Sequence, residues 1–149
     1  MISAISNDEN HELRCGEPPT AALTADAFAR WMVDYGRTGA ENDPQASAAL
    51  FAPEASYHES PFDAPLVGRD AIYDYWLQAS HRLRDKESTF EILAVEGQRG
   101  IARWRSTFAH IETGQRYVLD CVFAVDFNET GLCRLFREWW HIQEAPSSR

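Results

Sequence analysis

The sequence predicts an α+β fold, with three helices first and an antiparallel strand meander after them. Apolar residues recur at helical spacing through the first half and alternate at strand spacing from about residue 88. The turns Gly97 to Gly100, Thr113-Gly114 and Asn128 to Gly131 separate the later strands. Helices and strands do not alternate, so a βαβ architecture is excluded.

The first helix starts at Thr24, a capping residue, with Phe28, Trp31, Met32 and Tyr35 at i, i+3, i+4 and i+7. Gly36 or Gly39 can end it. Asp43-Pro44 opens a second, short helix over 46–51 that Pro53 closes. Residues 55–62 read as a short extended piece ended by Pro61, and a third helix follows Gly68 over 69–84, its apolar side Ile72, Trp76, Ala79 and Leu83. Arg82 to Glu87 read as its charged, solvated end. Strands are expected over 88–96, 101–111, 115–127 and 132–142. One domain over 23–143 is predicted, with a loose polar arm at 1–22 and a tail at 144–149.

The chain has 149 residues, enough to hide about 70% of its extended surface without a disulfide or metal staple. Its net charge of −9 argues against a nucleic-acid clamp or an anionic-membrane binder, both of which need a basic face. The start of the chain lacks a signal-peptide pattern, and no stretch has the length of a membrane helix. Three scattered cysteines, Cys15, Cys121 and Cys133, suit a reducing compartment, and a cytoplasmic protein is expected.

Turn lengths predict the strand register, and register decides which side chains share a face. A four-residue loop at Asn128 to Gly131 sets Phe127 opposite Leu132, Phe136 opposite Phe123 and Glu138 opposite Cys121. A turn centred on Thr113-Gly114 sets Ser106 opposite Cys121 and Trp104 opposite Phe123. One face then carries Trp104, Ser106, Phe108, Leu119, Cys121, Phe123, Phe136, Glu138 and Trp140: aromatic and apolar, with one acid in the middle. The other mixes Arg103, Arg105, Val118, Asp120, Val122, Leu135, Arg137, Trp139 and His141. It is too polar for a core and too aromatic for plain solvent, which suits a homodimer interface.

The helix order, the segment Tyr57-His58-Glu59-Ser60-Pro61, then Gly68-Arg69-Asp70-Ala71-Ile72, and the strand Phe136-Arg137-Glu138-Trp139-Trp140-His141 resemble the SnoaL-like branch of the nuclear transport factor two superfamily. The resemblance covers about residues 24–142. It implies a strongly curved antiparallel sheet wrapped on the helices as a cone, whose concave face lines a pocket for a small apolar molecule. Family members include cyclases, ketosteroid isomerases, limonene-type epoxide hydrolases, dehydratases and proteins without known activity. Against the epoxide hydrolases, Tyr57 matches their water-holding Tyr, Glu59 stands at their Asn and Glu138 at their last-strand Asp. Their Arg-x-Asp pair appears here as Trp104 and Ser106, so that mechanism lacks its proton donor and orienting Arg.

Glu138 is the leading catalytic candidate, because a carboxyl among aromatic rings is poorly solvated and its pKa rises toward the acid/base range. Its structural alternative is a carboxylate bonded to Tyr57 or Arg134. Glu59 is a second acid at the cone's mouth or a solvated Glu, and Tyr57 a hydrogen-bond donor to a substrate oxygen or a wall residue. Trp76 and Trp31 pack beneath the sheet, with Trp76 helping to shape the pocket. His58 is expected at the surface or an interface, and His110 at the rim. Ser106 has no placed His or Asp partner to make it a nucleophile. No metal-ligand spacing and no Gly-rich phosphate loop are present, so neither metal nor cofactor is expected. Three functions remain open: a cofactor-independent isomerase, cyclase or dehydratase; a non-catalytic small-molecule binder; and a dimerisation module.

Overall fold

A computed structural model describes residues 21–146. All but the last two residues of the predicted arm, and 147–149 of the predicted tail, lie outside them. Helix α1 spans Ala25–Ala40 and α2 spans Pro44–Ala49. Strands β1 (Phe51–His58) and β2 (Leu66–Val67) precede helix α3, Arg69–Arg82. The meander follows as β3 (Leu83–Glu96), β4 (Arg99–His110), β5 (Arg116–Phe127) and β6 (Cys133–Glu144). All six strands form one curved, open sheet in the order β2-β1-β6-β5-β4-β3. This is the predicted α+β cone.

Thr24 caps α1 as expected, its hydroxyl accepting from the Ala27 N–H at 3.1 Å. The predicted stripe Phe28, Trp31, Met32 and Tyr35 is buried and fills the cone from inside. Gly100 on β4 admits that stripe: a Cβ there would lie 2.3 Å from the Phe28 ring. Such a contact would force either the helix or the strand to move.

Four expectations need correction. The sheet is antiparallel except where β1 runs parallel to β6. The meander leaves one edge of β6 unpaired, and β1 covers it. The second helix ends before Phe51, and Pro53 lies inside β1. It falls between the paired residues Phe51 and Ser56, where the ladder is irregular and its missing N–H breaks no regular pairing. The third helix ends at Arg82, and Leu83 already pairs with His110. The charged run to Glu87 is therefore the start of β3, bent by a register irregularity between Arg84 and Glu87 where Asp85 takes a positive φ of 52°.

The register is the fourth correction. Phe123 faces Glu138 and Val125 faces Phe136, while Trp104 faces Cys121 and Ser106 faces Leu119. Both hairpins slip by two residues from expectation. In the β5–β6 turn, Asn128 closes on Leu132 through its backbone and side-chain oxygen, and the irregularity after Asp126 adds a further residue. In the β4–β5 turn, His110 pairs with Gln115 across four residues ending in Gly114. A slip of two leaves every side chain on its predicted face.

Candidate functional site

The concave face of β3 to β6 and the inward sides of α1 and α3 enclose a cavity of about 270 Å³. Of the predicted site residues, Tyr57, Glu59, Trp76, Trp104, Ser106, Phe108, Leu119, Phe123, Glu138 and Trp140 line it. Cys121 and Phe136 share the concave face but stay buried without reaching the cavity wall. Tyr57 covers Phe136, the two rings stacked at 4.5 Å and 7°. Cys121 is a short side chain between the cross-strand neighbours Trp104 and Trp140.

Sequence reasoning missed Tyr75, Lys86 and Gly36 at the wall, and took Tyr35 only as core. Tyr75 carried a usable signal, since Ile72, Tyr75, Trp76 and Ala79 share one helix stripe. Lys86 carried none, because its position depends on the irregular start of β3; its ammonium donates to the Gly39 carbonyl at 2.9 Å. Burial pulls that ammonium's pKa down. Gly36 keeps the wall thin: a Cβ there would sit 2.8 Å from Ser88 Oγ and 2.9 Å from the Trp104 ring.

Glu138 sits midway along β6 and is 7% exposed. Among the described residues nothing donates a hydrogen bond to its carboxyl, and no cation pairs with it. Both structural partners considered for it are engaged elsewhere. Arg134 reaches Asp126 at 3.3 Å on the opposite face, and the Tyr57 hydroxyl lies 3.3 Å from that of Tyr35. Burial, reinforced by the negative charge of Glu59, pushes the Glu138 carboxyl up to about 8.

Glu59 lies just past the end of β1, exposed at the rim. Its carboxylate accepts from the Tyr75 hydroxyl at 3.2 Å, and its backbone carbonyl accepts from Trp140 Nε1 at 3.0 Å. The hydroxyls of Tyr35 and Tyr57 are held protonated first by burial, then by the charge of Glu138. Tyr75 is pushed up by burial and next by Glu59. These three phenols therefore work as neutral donors. In the Tyr35–Tyr57 pair one O–H is spent on the partner, and Tyr57 also interacts with the Tyr75 hydroxyl. Trp76 Nε1 is a further buried N–H without a partner among the described residues.

His58 bonds to Ser56 at 2.9 Å, away from the cavity wall, and His110 sits beside Phe108 and Tyr117 near the β4–β5 turn. Among the described residues no three His, Cys, Asp or Glu side chains converge as a metal site. No helix among them is long and apolar enough to cross a membrane.

The family model for the SnoaL-like domain matches residues 33–135. No curated protein matches the chain. Solved structures do. SalBIII, an epoxide hydrolase/cyclase-like enzyme of pyran ring formation in the polyether salinomycin, superposes with a TM-score of 0.68 at 16% identity, over 80% of this chain and 97% of that one. A proposed isomerase of Bacillus subtilis gives 0.66 at 19% identity, over 78% and 87%. A Catenulispora acidiphila protein with a ketosteroid isomerase-like fold, in complex with trimethylamine, gives 0.65 at 11% identity, over 73% and 83%. At these identities the likeness is one of fold.

Proposed function

From the premise that the chain belongs to the SnoaL-like domain family, we propose that its cone binds a small, largely apolar molecule and moves a proton on it without a cofactor. The observation that carries this reading is Glu138: a nine-tenths buried carboxyl at the cavity wall, with no protein partner among the described residues and a pKa of about 8. Near neutrality both of its protonation states are populated, which is what a group that takes and returns a proton needs. The ionised form takes a proton from carbon next to a carbonyl, and the bond's electron pair moves onto the carbonyl oxygen. A hydroxyl of the Tyr35–Tyr57 pair turns to that oxygen and steadies it, and Glu138 returns the proton at another carbon. Glu59, the second acid of this reading, raises the basicity of Glu138 through its charge, so that the ionised form takes the proton more readily. Isomerisation follows that whole course; aldol-type cyclisation and dehydration share the abstraction, and the proton then goes to the new alkoxide or to the departing hydroxide.

The test is uptake of solvent deuterium beside the carbonyl of small ketones. Wild-type protein should catalyse it, and Glu138→Gln should not, while still binding the same ketones. Exchange by both forms, or a Glu138 carboxyl carbon that titrates at or below the ordinary Glu range, would sink the reading.

A second reading, a non-catalytic holder of the same class of molecule, is favoured by the lining itself, which includes Tyr35, Tyr57, Tyr75, Trp76, Trp104 and Trp140. It gives binding without exchange. The convex face supports a homodimer in either case, because Val122 and Trp139 are 39% and 47% exposed beside each other across β5 and β6. Arg103 and Arg105 already pair with Asp120 within the chain, and Arg137 lies over the Trp139 ring, so the apolar pair must supply the contact. Light scattering on wild type and Trp139→Ser checks it: a dimer should become a monomer. Free, buried Cys121 and Cys133 fit a cytoplasmic setting.

A further inference from the structure

The same cavity carries information about the charge of its ligand. Two carboxyls, Glu138 and Glu59, meet at one wall, close enough that the charge of one opposes ionisation of the other. Glu138 is 7% exposed and has no hydrogen bond or ion pair among the described residues. The basic groups of its own strand point the other way: Arg134 pairs with Asp126, and Arg137 lies over Trp139. Lys86 from β3 is held on the Gly39 carbonyl and takes no part in the shift of Glu138.

The remaining titratable groups around the carboxyl are neutral or negative. Tyr35 comes from α1, Tyr57 from β1, Tyr75 from α3 and Cys121 from β5; all are pushed up and stay protonated. Glu87 of β3 adds a third acid at the wall. The rest of the lining is largely aromatic, and ring faces attract weakly hydrated cations.

We propose that the ligand of this cavity carries a positive charge on an apolar body, a tertiary or quaternary ammonium seated between Glu138 and the surrounding rings. The proposal rests on the cavity being a small-molecule site, the premise of the function above, and adds the charge of the molecule. A cation placed there lets Glu138 ionise beside the charge of Glu59, a relief no neutral molecule supplies. An organic ammonium suits the site better than a hard metal ion, since among the described residues no three His, Cys, Asp or Glu side chains converge to replace a hydration shell.

The test compares choline with its neutral isostere, 3,3-dimethylbutan-1-ol, by calorimetry on the full chain at pH 7 and pH 9. Choline has no titration of its own in that range, so its affinity should follow the ionised fraction of Glu138 and rise about tenfold. The alcohol should bind with little pH dependence and more weakly than choline at pH 9. Glu138→Gln should remove the rise, which separates Glu138 from a loss of the Lys86 charge. Sodium or magnesium chloride at the same ionic strength should not compete. If the alcohol binds and choline binds no tighter, or binds with a flat profile, the cationic ligand is overturned while the small-molecule site stands. Binding of neither overturns both. If Glu138→Gln fails to fold, Lys86→Met makes the same separation: the rise should persist in it, and its loss would overturn the role of Glu138.

Discussion

Glu138 and Asp126 are both buried acids on adjacent strands of the same sheet, and they behave in opposite ways. Asp126, on the convex side, receives two bonds from Arg99 at 2.6 and 2.9 Å and one from Arg134 at 3.3 Å. Those guanidinium groups, Arg99 first, hold its carboxyl below the usual range. Glu138, on the concave side, meets rings and another acid and is pushed up instead. Burial opposes the charge of both. The sign of the shift is decided by whether a cation comes with the burial: Arg99 stands directly across from Asp126, and Arg134, of the same parity as Glu138, reaches Asp126 beside the irregularity in the ladder.

The largest expected effect breaks this comparison at Glu138. Its folded pKa lies above the unfolded one, so neutral Glu138 costs nothing below about pH 4.5 and stability falls as pH rises through 8. Glu138→Gln should remove that loss. In urea unfolding the variant should gain on wild type between pH 5 and pH 9 by an amount on the order of 4 kcal/mol at most, at about 1.4 kcal/mol per pKa unit. Parallel stability curves for the two proteins would contradict an elevated Glu138.

Asp126→Asn should show the opposite dependence and a smaller size. The Asp126 pKa is depressed, so its contribution is present above the unfolded value near 3.8 and lost as pH falls. Because Arg99 and Arg134 are about half exposed, the cost at pH 7 should be about 1 to 2 kcal/mol, shrinking below pH 4. A cost that persists undiminished at pH 3 would assign it to packing.

The smallest stability effect sharpens the comparison from the cavity side. Gly36→Ala gains about 1 kcal/mol of helix propensity, but the new Cβ must push Ser88 or the Trp104 ring. Net stability should change by less than about 1 kcal/mol, while ligand affinity falls severalfold as Trp104 moves into the cavity. Unchanged affinity would mean the strand yields outward instead.

How far the sequence carried this reading depends on the kind of question asked of it. Two-residue alternation placed Trp104, Phe123, Glu138 and Trp140 on one face and Trp139 and Val122 on the other. That partition survived a two-residue slip in both hairpins, because an even slip preserves parity. Local chemistry also determined the Thr24 cap and the stripe of α1, since both depend on neighbours within two turns. What only the tertiary structure decided is where distant pieces meet. The parallel docking of β1 on β6, Tyr35 and Tyr75 joining Tyr57 beside Glu138, and the engagement of Arg134 by Asp126 all link residues far apart in the chain or turn on which face a strand presents. No local period encodes those meetings. They arise from packing a curved sheet around helices, and they set whether the buried acid is paired or left alone.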